Sequence, residues 1–297
     1  MKNHVLEFLS PGLKITKSRG HLVVLSSKGE SEIPLDDIFT ALILSEDVLI
    51  STNVVTSMIE RNIPIIFCDS KYTPLASMLG YQGHSLTQKR QAAQISLSDI
   101  QKGRLWQKAV KQKIWQQHQL LKHLKKEQIL MDKFFHEVEI HDETNLEAQA
   151  ARLYWKTLFG DNFRRDPVLS GTNSFLNYGY AILRSAVARS VASSGLNPTI
   201  GIHHSNFENP FCLVDDLMEP FRPLVDSYCY TLQDESDLSP QNKRKLSIIL
   251  EHEVIYRNEK KPLSSAIHEY CHSFTNAILN ADYKLFDTSI NLNFYAI

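Results

Sequence analysis

Short apolar runs dominate the first eighty residues of the chain. HLVVLSS, TALILS, VLISTNVV and IPIIFCDS are rich in Leu and β-branched residues, and turn formers such as SRGH and SSKGE separate several of them. Runs of this length and composition predict β-strands. TNVVTSMIERN interrupts the pattern and predicts a short helix before the strand IPIIF. We therefore expect residues 1–80 to form a small β-rich, sandwich-like domain that serves in dimerisation.

The pattern changes to a helical period after residue 90. GYQGHSLTQ has two glycines and no apolar period, which predicts a linker at 81–90 before a larger domain at 91–297. Ser98 and Asp99 are candidate caps for a helix from about residue 100 to 124. This helix has an apolar stripe at helical spacing. The stripe consists of Trp106, Val110, Ile114 and Leu121.

Further helices are predicted along the rest of the chain. They cover residues 145–159, 173–194, 211–230, 240–256 and 262–281. Asn145 is the candidate N-cap of the first, and Gly195 is a plausible stop for the second. The prolines of MEPFRP predict a kink in the third. The fold class expected is α+β, with an all-α C-terminal domain that carries the chemistry.

Charge is distributed unevenly along a chain whose formal net charge is −1. Residues 86–133 hold 11 Lys and Arg against 3 acids, whereas both flanking segments are acidic. A basic block of this kind is typical of proteins that bind a phosphate backbone, and a solvated helix face is the alternative. No apolar run approaches the length of about 18 residues that suits a membrane span, and no secretory signal is evident. We expect a cytoplasmic protein, with its four widely spaced cysteines as buried thiols.

Candidate chemistry is concentrated in GIHHSNFENPFCLVDDLMEPFRPLVD, residues 201–226. It contains His204 followed by Asp215, Asp216 and Glu219. Asp216 and Glu219 are three residues apart, so on a helix they share a face, whereas Asp215 is rotated away by about 100°. Imidazole and carboxylate groups together suit a divalent cation. The alternative is that these acids pair with arginines such as Arg222 or Arg189.

Three motifs carry a resemblance that covers nearly the whole chain. They are E-x-x-A-A-R-x-Y-W, then G-x-x-H, then D-L-M-E-P-F-R-P. In this order they resemble the Cas1 family, the CRISPR-associated integrase/endonuclease of spacer acquisition. The helix NYGYAILRSAVARS and the chain length look most like members from type II systems. The family architecture is a β-rich N-terminal domain, a linker and a larger helical domain.

The resemblance implies a function and a set of site residues. The metal ligands and catalytic residues would be Glu147, His204 and Glu219, with Asp216 beside them and Mg²⁺ or Mn²⁺ as the ion. The reaction would join the 3′-hydroxyl ends of short DNA fragments to the CRISPR repeat by transesterification. A homodimer and the companion protein Cas2, with other type II CRISPR proteins, are the implied partners. Candidates for DNA contact are Tyr178, Arg152, Arg184, Arg189, Lys102 and Lys108.

Two other functions remain open at this point. His268, Glu269 and His272 form H-E-x-x-H, the pattern of a zinc metalloprotease. No third ligand of the usual kind follows it. A non-catalytic DNA-binding module would explain the basic block, although it would leave the acids and imidazole of residues 201–226 unexplained.

Overall fold

The computed structural model describes residues 4–61, 63–68, 74–78, 86–235 and 237–296. Its N-terminal part is β-rich, as predicted. The elements are β1 His4–Phe8, β2 Leu13–Ser18, β3 His21–Ser26, β4 Gly29–Pro34, β5 Ile38–Ile43, β6 Val48–Ile50, α1 Thr52–Glu60, β7 Ile65–Cys68 and β8 Pro74–Met78. The strands form two four-stranded sheets, ordered β1-β5-β7-β8 and β4-β3-β2-β6. Helix α1 confirms the short helix predicted before IPIIF.

The strands β5 and β7 of the sheet β1-β5-β7-β8 are buried on both faces, and this explains their apolar runs. In β5, Ala41 and Ile43 belong to the core shared with the other sheet, whereas Leu42 packs into the large helical core. Ile65 and Ile66 of β7 divide in the same way. β5 pairs in parallel with both β1 and β7. Parallel strands covered on both sides require apolar side chains at successive positions, as TALIL and IPIIF provide.

Helices make up most of the C-terminal part. They are α2 Thr87–Ile95, α3 Asp99–His123, α4 Ile129–Glu137, α5 Leu146–Phe159, α6 Thr172–Ser193, α7 Cys212–Met218, α8 Arg222–Tyr230, α9 Pro240–Ser247 and α10 Leu263–Leu279. Helix α2 begins inside the predicted linker 81–90, and residues 79–85 lie outside the described part of the chain. The kink expected at MEPFRP is a 3₁₀ turn, Glu219–Phe221, between α7 and α8. None of the helices in the described residues is long and apolar enough to cross a membrane.

The prediction of an all-α C-terminal domain is wrong in one region. The helix expected over 240–256 ends at Ser247, and β9 Glu253–Tyr256, β10 Glu259–Pro262 and β11 Ile290–Asn291 form a sheet ordered β10-β9-β11. Val254 and Tyr256 alternate with more exposed neighbours and are fully buried. Arg257 and Asn258 both have positive φ and form a two-residue hairpin turn. The segment therefore has strand periodicity, which a helical interpretation overlooked.

Helix α3 lies at the centre of the helical part. Ser98 caps it in a reciprocal capping box with Gln101, as the sequence predicted for its start. The whole apolar stripe of α3 is buried. The helix packs against α4, α5, α8, the 139–142 segment and the turn Glu219–Phe221. All four cysteines of the chain are also buried.

A buried carboxylate joins three of the surrounding helices. Asp226 of α8 accepts hydrogen bonds from the hydroxyls of Tyr154 on α5, at 2.8 Å, and Tyr180 on α6. Burial raises the pKa of Asp226 from 3.8 to about 6, although both tyrosine hydroxyls act in the opposite direction. Asp226 therefore fixes the relative positions of the helices that lead into the site.

The stability contributed by Asp226 should depend on pH. Its folded-state pKa is raised, so the folded protein keeps a proton that the unfolded chain releases between about pH 4 and pH 6, and stability falls as pH rises through this window. We expect the unfolding free energy of Asp226→Asn to rise relative to wild type between about pH 4 and pH 7, by on the order of 2–3 kcal/mol. Urea unfolding across this range measures the difference, and parallel pH profiles for the two proteins would contradict it.

Candidate active site

The first acidic residue of the site, Glu147, lies in the first turn of α5. The carboxylate of Asp142 accepts from the backbone N–H groups of Leu146, at 2.8 Å, and Glu147, at 2.9 Å. These are donors that the start of a helix leaves without helical partners. Gly103 of α3 permits the close approach of this segment, because a Cβ there would collide with the ring of His141.

Asn145 occupies the N-cap position of α5, as predicted, but it does not cap the helix with its side chain. Its φ is 54° and its side chain makes no capping hydrogen bond. Asp142, three residues earlier, caps the helix instead, and it too has a positive φ, of 53°. The cap is therefore reached across a turn, a geometry that the local sequence pattern does not reveal.

The second acidic residue, Glu219, is buried at the turn between α7 and α8. Its side chain is 6% exposed, and Oε1 lies 2.9 Å from Nε of Arg222. Burial alone would raise the pKa of Glu219, but the charges of Arg222 and Lys113 outweigh burial and lower it. Glu219 is therefore held as a carboxylate. The pairing with Arg222 is the one that the sequence offered as an alternative to metal binding.

Lys113 of α3 brings the two glutamates together. Its ammonium donates to Oε1 of Glu147 and lies 2.5 Å from Oε2 of Glu219. Burial would lower the pKa of Lys113, but the carboxylates of Glu219 and Glu147 raise it. Two predicted ligands, separated by 72 residues in sequence, thus meet at one cationic centre.

The loop before α7 positions the imidazole of His204. Asp216 of α7 is fully buried, and its carboxylate accepts from the backbone N–H groups of Ile202, at 2.7 Å, His203, at 3.0 Å, and His204, at 3.2 Å. It also lies 2.6 Å from Nδ1 of His204. This contact with Asp216 is the main reason that the pKa of His204 is raised, despite burial, and the charge of Glu219 contributes. With Nδ1 engaged, Nε2 is the ring nitrogen that is left for a ligand.

The glycine of G-x-x-H has a steric role in this loop. A Cβ on Gly201 would collide with the backbone oxygen of His204 and would lie 2.8 Å from Oδ2 of Asp216. The neighbouring His203 is stacked on Trp106 of α3, with ring centroids 4.1 Å apart and nearly parallel planes. The two adjacent histidines are thus directed to different partners.

Asp215 faces away from the cluster, as its rotation on the helix predicts. It forms a bidentate pair with Arg184 of α6, at 2.5 and 2.7 Å, and accepts from Asn209 at 2.8 Å. Arg184 is therefore engaged inside the protein. Among the described residues, no three His, Cys, Asp or Glu side chains already form a group that would hold a metal ion.

Some of the residues predicted to contact DNA are instead buried or partly buried against other parts of the protein. Tyr178 is 1% exposed and its hydroxyl donates to Glu7 of β1, so the prediction that it contacts DNA does not fit its burial. Lys108 is partly buried beside the backbone oxygen of Tyr283, and burial lowers its pKa. Arg189 and Lys102 are partly exposed, and Arg152 is exposed on α5.

Sequence reasoning missed the roles of Lys113 and Asp142. Lys113 was counted in the basic block, yet it lies three residues after Val110 on the apolar stripe, where a lysine is unexpected. A charged residue on a buried helix face requires a partner of opposite charge, and that conflict was the available signal. Asp142 had no comparable signal, because its role depends on the turn before α5.

The H-E-x-x-H pattern does not form a site. It lies on α10, where Glu269 pairs with Lys261 at 2.7 Å. His268 and His272 are exposed, and Nδ1 of His272 lies 3.3 Å from the side-chain amide of Asn276. The pattern is explained by ordinary surface contacts.

Known proteins resemble the chain over nearly all its length. The model of the family described as "CRISPR associated protein Cas1" matches residues 6–256. A CRISPR-associated endonuclease Cas1 of Neisseria meningitidis serogroup C (strain 8013) is 30% identical over 279 residues, covering 92% of this chain and 91% of the relative. A casposase bound to integration product has a similar fold, with a TM-score of 0.77 and 18% identity; the match covers 97% of this chain and 95% of the casposase chain. A chain of a Cas6-RT-Cas1–Cas2 complex also has a similar fold, with a TM-score of 0.76 and 18% identity; the match covers 97% of this chain and 36% of that chain.

The cap formed by Asp142 can be tested with substitutions that do not strain the backbone at its positive φ. Both Gly and Asn tolerate a positive φ. We expect Asp142→Gly, which removes both capping bonds, to destabilise the protein by roughly 1–2 kcal/mol, and Asp142→Asn, which keeps one acceptor, to destabilise it less. Asn145→Gly is the matched control and should cost only a few tenths of a kcal/mol. Urea unfolding ranks the three variants, and a larger loss for Asn145→Gly would restore Asn145 as the cap.

Proposed function

The chain belongs to the CRISPR-associated Cas1 family, and on that premise we propose that it is a metal-dependent DNA endonuclease and integrase of CRISPR adaptation. It would join the 3′-hydroxyl ends of short DNA fragments to the CRISPR repeat by transesterification. The observation that carries the proposal is the meeting of Glu147 and Glu219, from two separate helical segments, at one cationic centre. Carboxylates that converge in this way are arranged to bind positive charge.

The donor set fits Mg²⁺ or Mn²⁺. Glu147 and Glu219 would supply two carboxylates and His204 one imidazole nitrogen, a combination that suits Mn²⁺ particularly well. Oε2 of Glu219 is buried and lies 2.5 Å from the Lys113 ammonium, so this oxygen already faces a positive charge. The contact between Nδ1 of His204 and Asp216 is the usual support for a ligating histidine. When bound, the ion would polarise a phosphoryl oxygen and stabilise the leaving oxygen.

The residues of the chain would orient the reacting groups. Asp142 fixes the first turn of α5 and hence the backbone position of Glu147, whereas Asp216 fixes the loop that carries His204. Arg222 keeps Glu219 ionised and in place. These supports are formed by the protein alone, so each of the three proposed ligands is held in place by neighbouring residues of the chain.

The basic block has a narrower role in this proposal than its charge indicates. Arg90 donates to the backbone oxygen of Ser194, and Lys113 is buried in the site. The exposed members are better placed to contact a DNA backbone without reading its sequence. They are Lys89, Lys122, Lys125 and Lys133.

The partners proposed are DNA, a second copy of the chain and Cas2. One solved structure of similar fold is a casposase bound to integration product, and another is a Cas6-RT-Cas1–Cas2 complex. These complexes support an integration reaction and assembly with Cas2. Two copies would allow both ends of one fragment to be processed.

Alanine variants of the ligands test the proposal. We expect Glu147→Ala, His204→Ala and Glu219→Ala each to lower integration by at least about a hundredfold, because each removes charge stabilisation or orientation of the ion. Binding of the duplex should largely persist. The assay uses a short duplex with free 3′-hydroxyls and a plasmid that contains the repeat.

His268→Ala is the control, since this exposed residue lies outside the cluster. It should integrate DNA at the wild-type rate. Full activity of the Glu219→Ala protein would overturn the ligand assignment, and peptidase activity with stoichiometric zinc would overturn the function.

A further inference from the structure

Lys113 occupies the point at which the two glutamates converge. Its side chain is 9% exposed, and its ammonium lies 2.5 Å from Oε2 of Glu219 while it donates to Glu147. Most lysines keep their charged end in water, since burial of an unpaired ammonium is costly. A buried lysine between two carboxylates thus has a specific electrostatic role.

The four charges that meet around Glu219 are balanced. Glu147 and Glu219 carry two negative charges, and Lys113 and Arg222 carry two positive charges. The carboxylate of Asp216, which contacts His204, adds one negative charge to the site, so a divalent ion would leave one excess positive charge. Such an excess is unfavourable unless a cation leaves or an anion enters.

The two resident cations differ in their freedom to move. The side chain of Arg222 is 28% exposed, but its guanidinium is held by two groups: it lies beside Glu219 and over the ring of Tyr180, 4.9 Å from the ring centroid. Lys113 has a flexible four-carbon stem and a point charge, so it can be redirected without loss of a planar contact. Lys113 is therefore the cation that can be exchanged.

We propose that Lys113 is a built-in counter-cation that holds Glu147 and Glu219 together in the metal-free protein and is displaced when a divalent ion binds. The inference rests on the proposed function, because it assigns those glutamates to the metal. The displaced ammonium stays on α3, the helix of the basic block, where a DNA phosphate can receive it. Lys113 is thus a positioning residue: it holds the two glutamates together and competes with the ion for them until its ammonium can contact a DNA phosphate.

Metal affinity in the absence of DNA tests this competition. Lys113→Met keeps the approximate length of the side chain and removes its charge. We expect it to bind Mn²⁺ about tenfold more tightly than wild type or better, a coupling of ordinary size between two sites. The readout is free Mn²⁺ measured by electron paramagnetic resonance during titration of the purified full-length chain.

Lys111→Met is the matched control for this titration. It removes one positive charge from the same helix, but the Lys111 ammonium lies near the backbone oxygen of His136 and not in the cluster. Its Mn²⁺ affinity should equal that of wild type. Weaker or unchanged Mn²⁺ binding by Lys113→Met would overturn the inference, because a lysine that only assists ligand geometry would produce that result.

A measurement on wild type keeps the inference testable if Lys113→Met does not fold. An amine-reactive acylating reagent, followed by peptide mass spectrometry, reports the accessibility of each lysine. Modification of Lys113 should rise several-fold when Mn²⁺ is added, while that of Lys111 stays constant. If the protein binds Mn²⁺ and the modification of Lys113 does not increase, the proposed displacement is wrong, whereas the proposed metal site stands. If wild type and Lys113→Met both fail to bind Mn²⁺, the metal assignment and this inference fall together.

Discussion

A buried carboxylate must be paired with a positive charge or hydrogen-bonded, and the arrangement of this site follows from the way Glu219 meets that requirement. Its side chain is 6% exposed, and its negative charge is stabilised by Arg222 beside one carboxylate oxygen and by Lys113 beside the other. Arg222 directly follows the 3₁₀ turn that connects α7 to α8; Pro220 lies within this turn and Pro223 in the first turn of α8. The motif M-E-P-F-R-P therefore combines an acid, its counter-ion and the backbone geometry that brings them together.

The adjacent acids Asp215 and Asp216 show how one helix can serve two separate networks. Asp215 is directed to Arg184 on α6 and stabilises helix packing, whereas Asp216 collects three backbone N–H groups and the ring of His204. Rotation of about 100° between successive helical residues separates these roles. Replacing either acid would disturb the site by a different route, through α6 or through the histidine loop.

Sequence patterns predicted the elements with strong periodicity and missed those that depend on distant contacts. The apolar stripe and the cap at Ser98 predicted both ends of α3, and the apolar runs of β5 and β7 predicted those two strands. The hairpin of β9 and β10 was missed because its turn is Arg257-Asn258, which lacks the glycine of common hairpin turns. Within the site, spacing grouped Asp216 with Glu219 on one face, but their actual partners lie on other segments.

The basic block illustrates why charge composition alone overstates a nucleic-acid surface. Lys113, Arg90 and Lys126 use their charges within the fold, on carboxylates, a backbone oxygen and the ring of Tyr230 respectively. Part of the positive charge of residues 86–133 is thus matched by acids that are distant in sequence, which a count over consecutive residues cannot include. The lysines of helix α3 consequently differ in burial: Lys122 is exposed to solvent, whereas Lys113 is buried and its charge balances the glutamates. An electrostatic interpretation of such a helix must separate them by burial before assigning either to DNA.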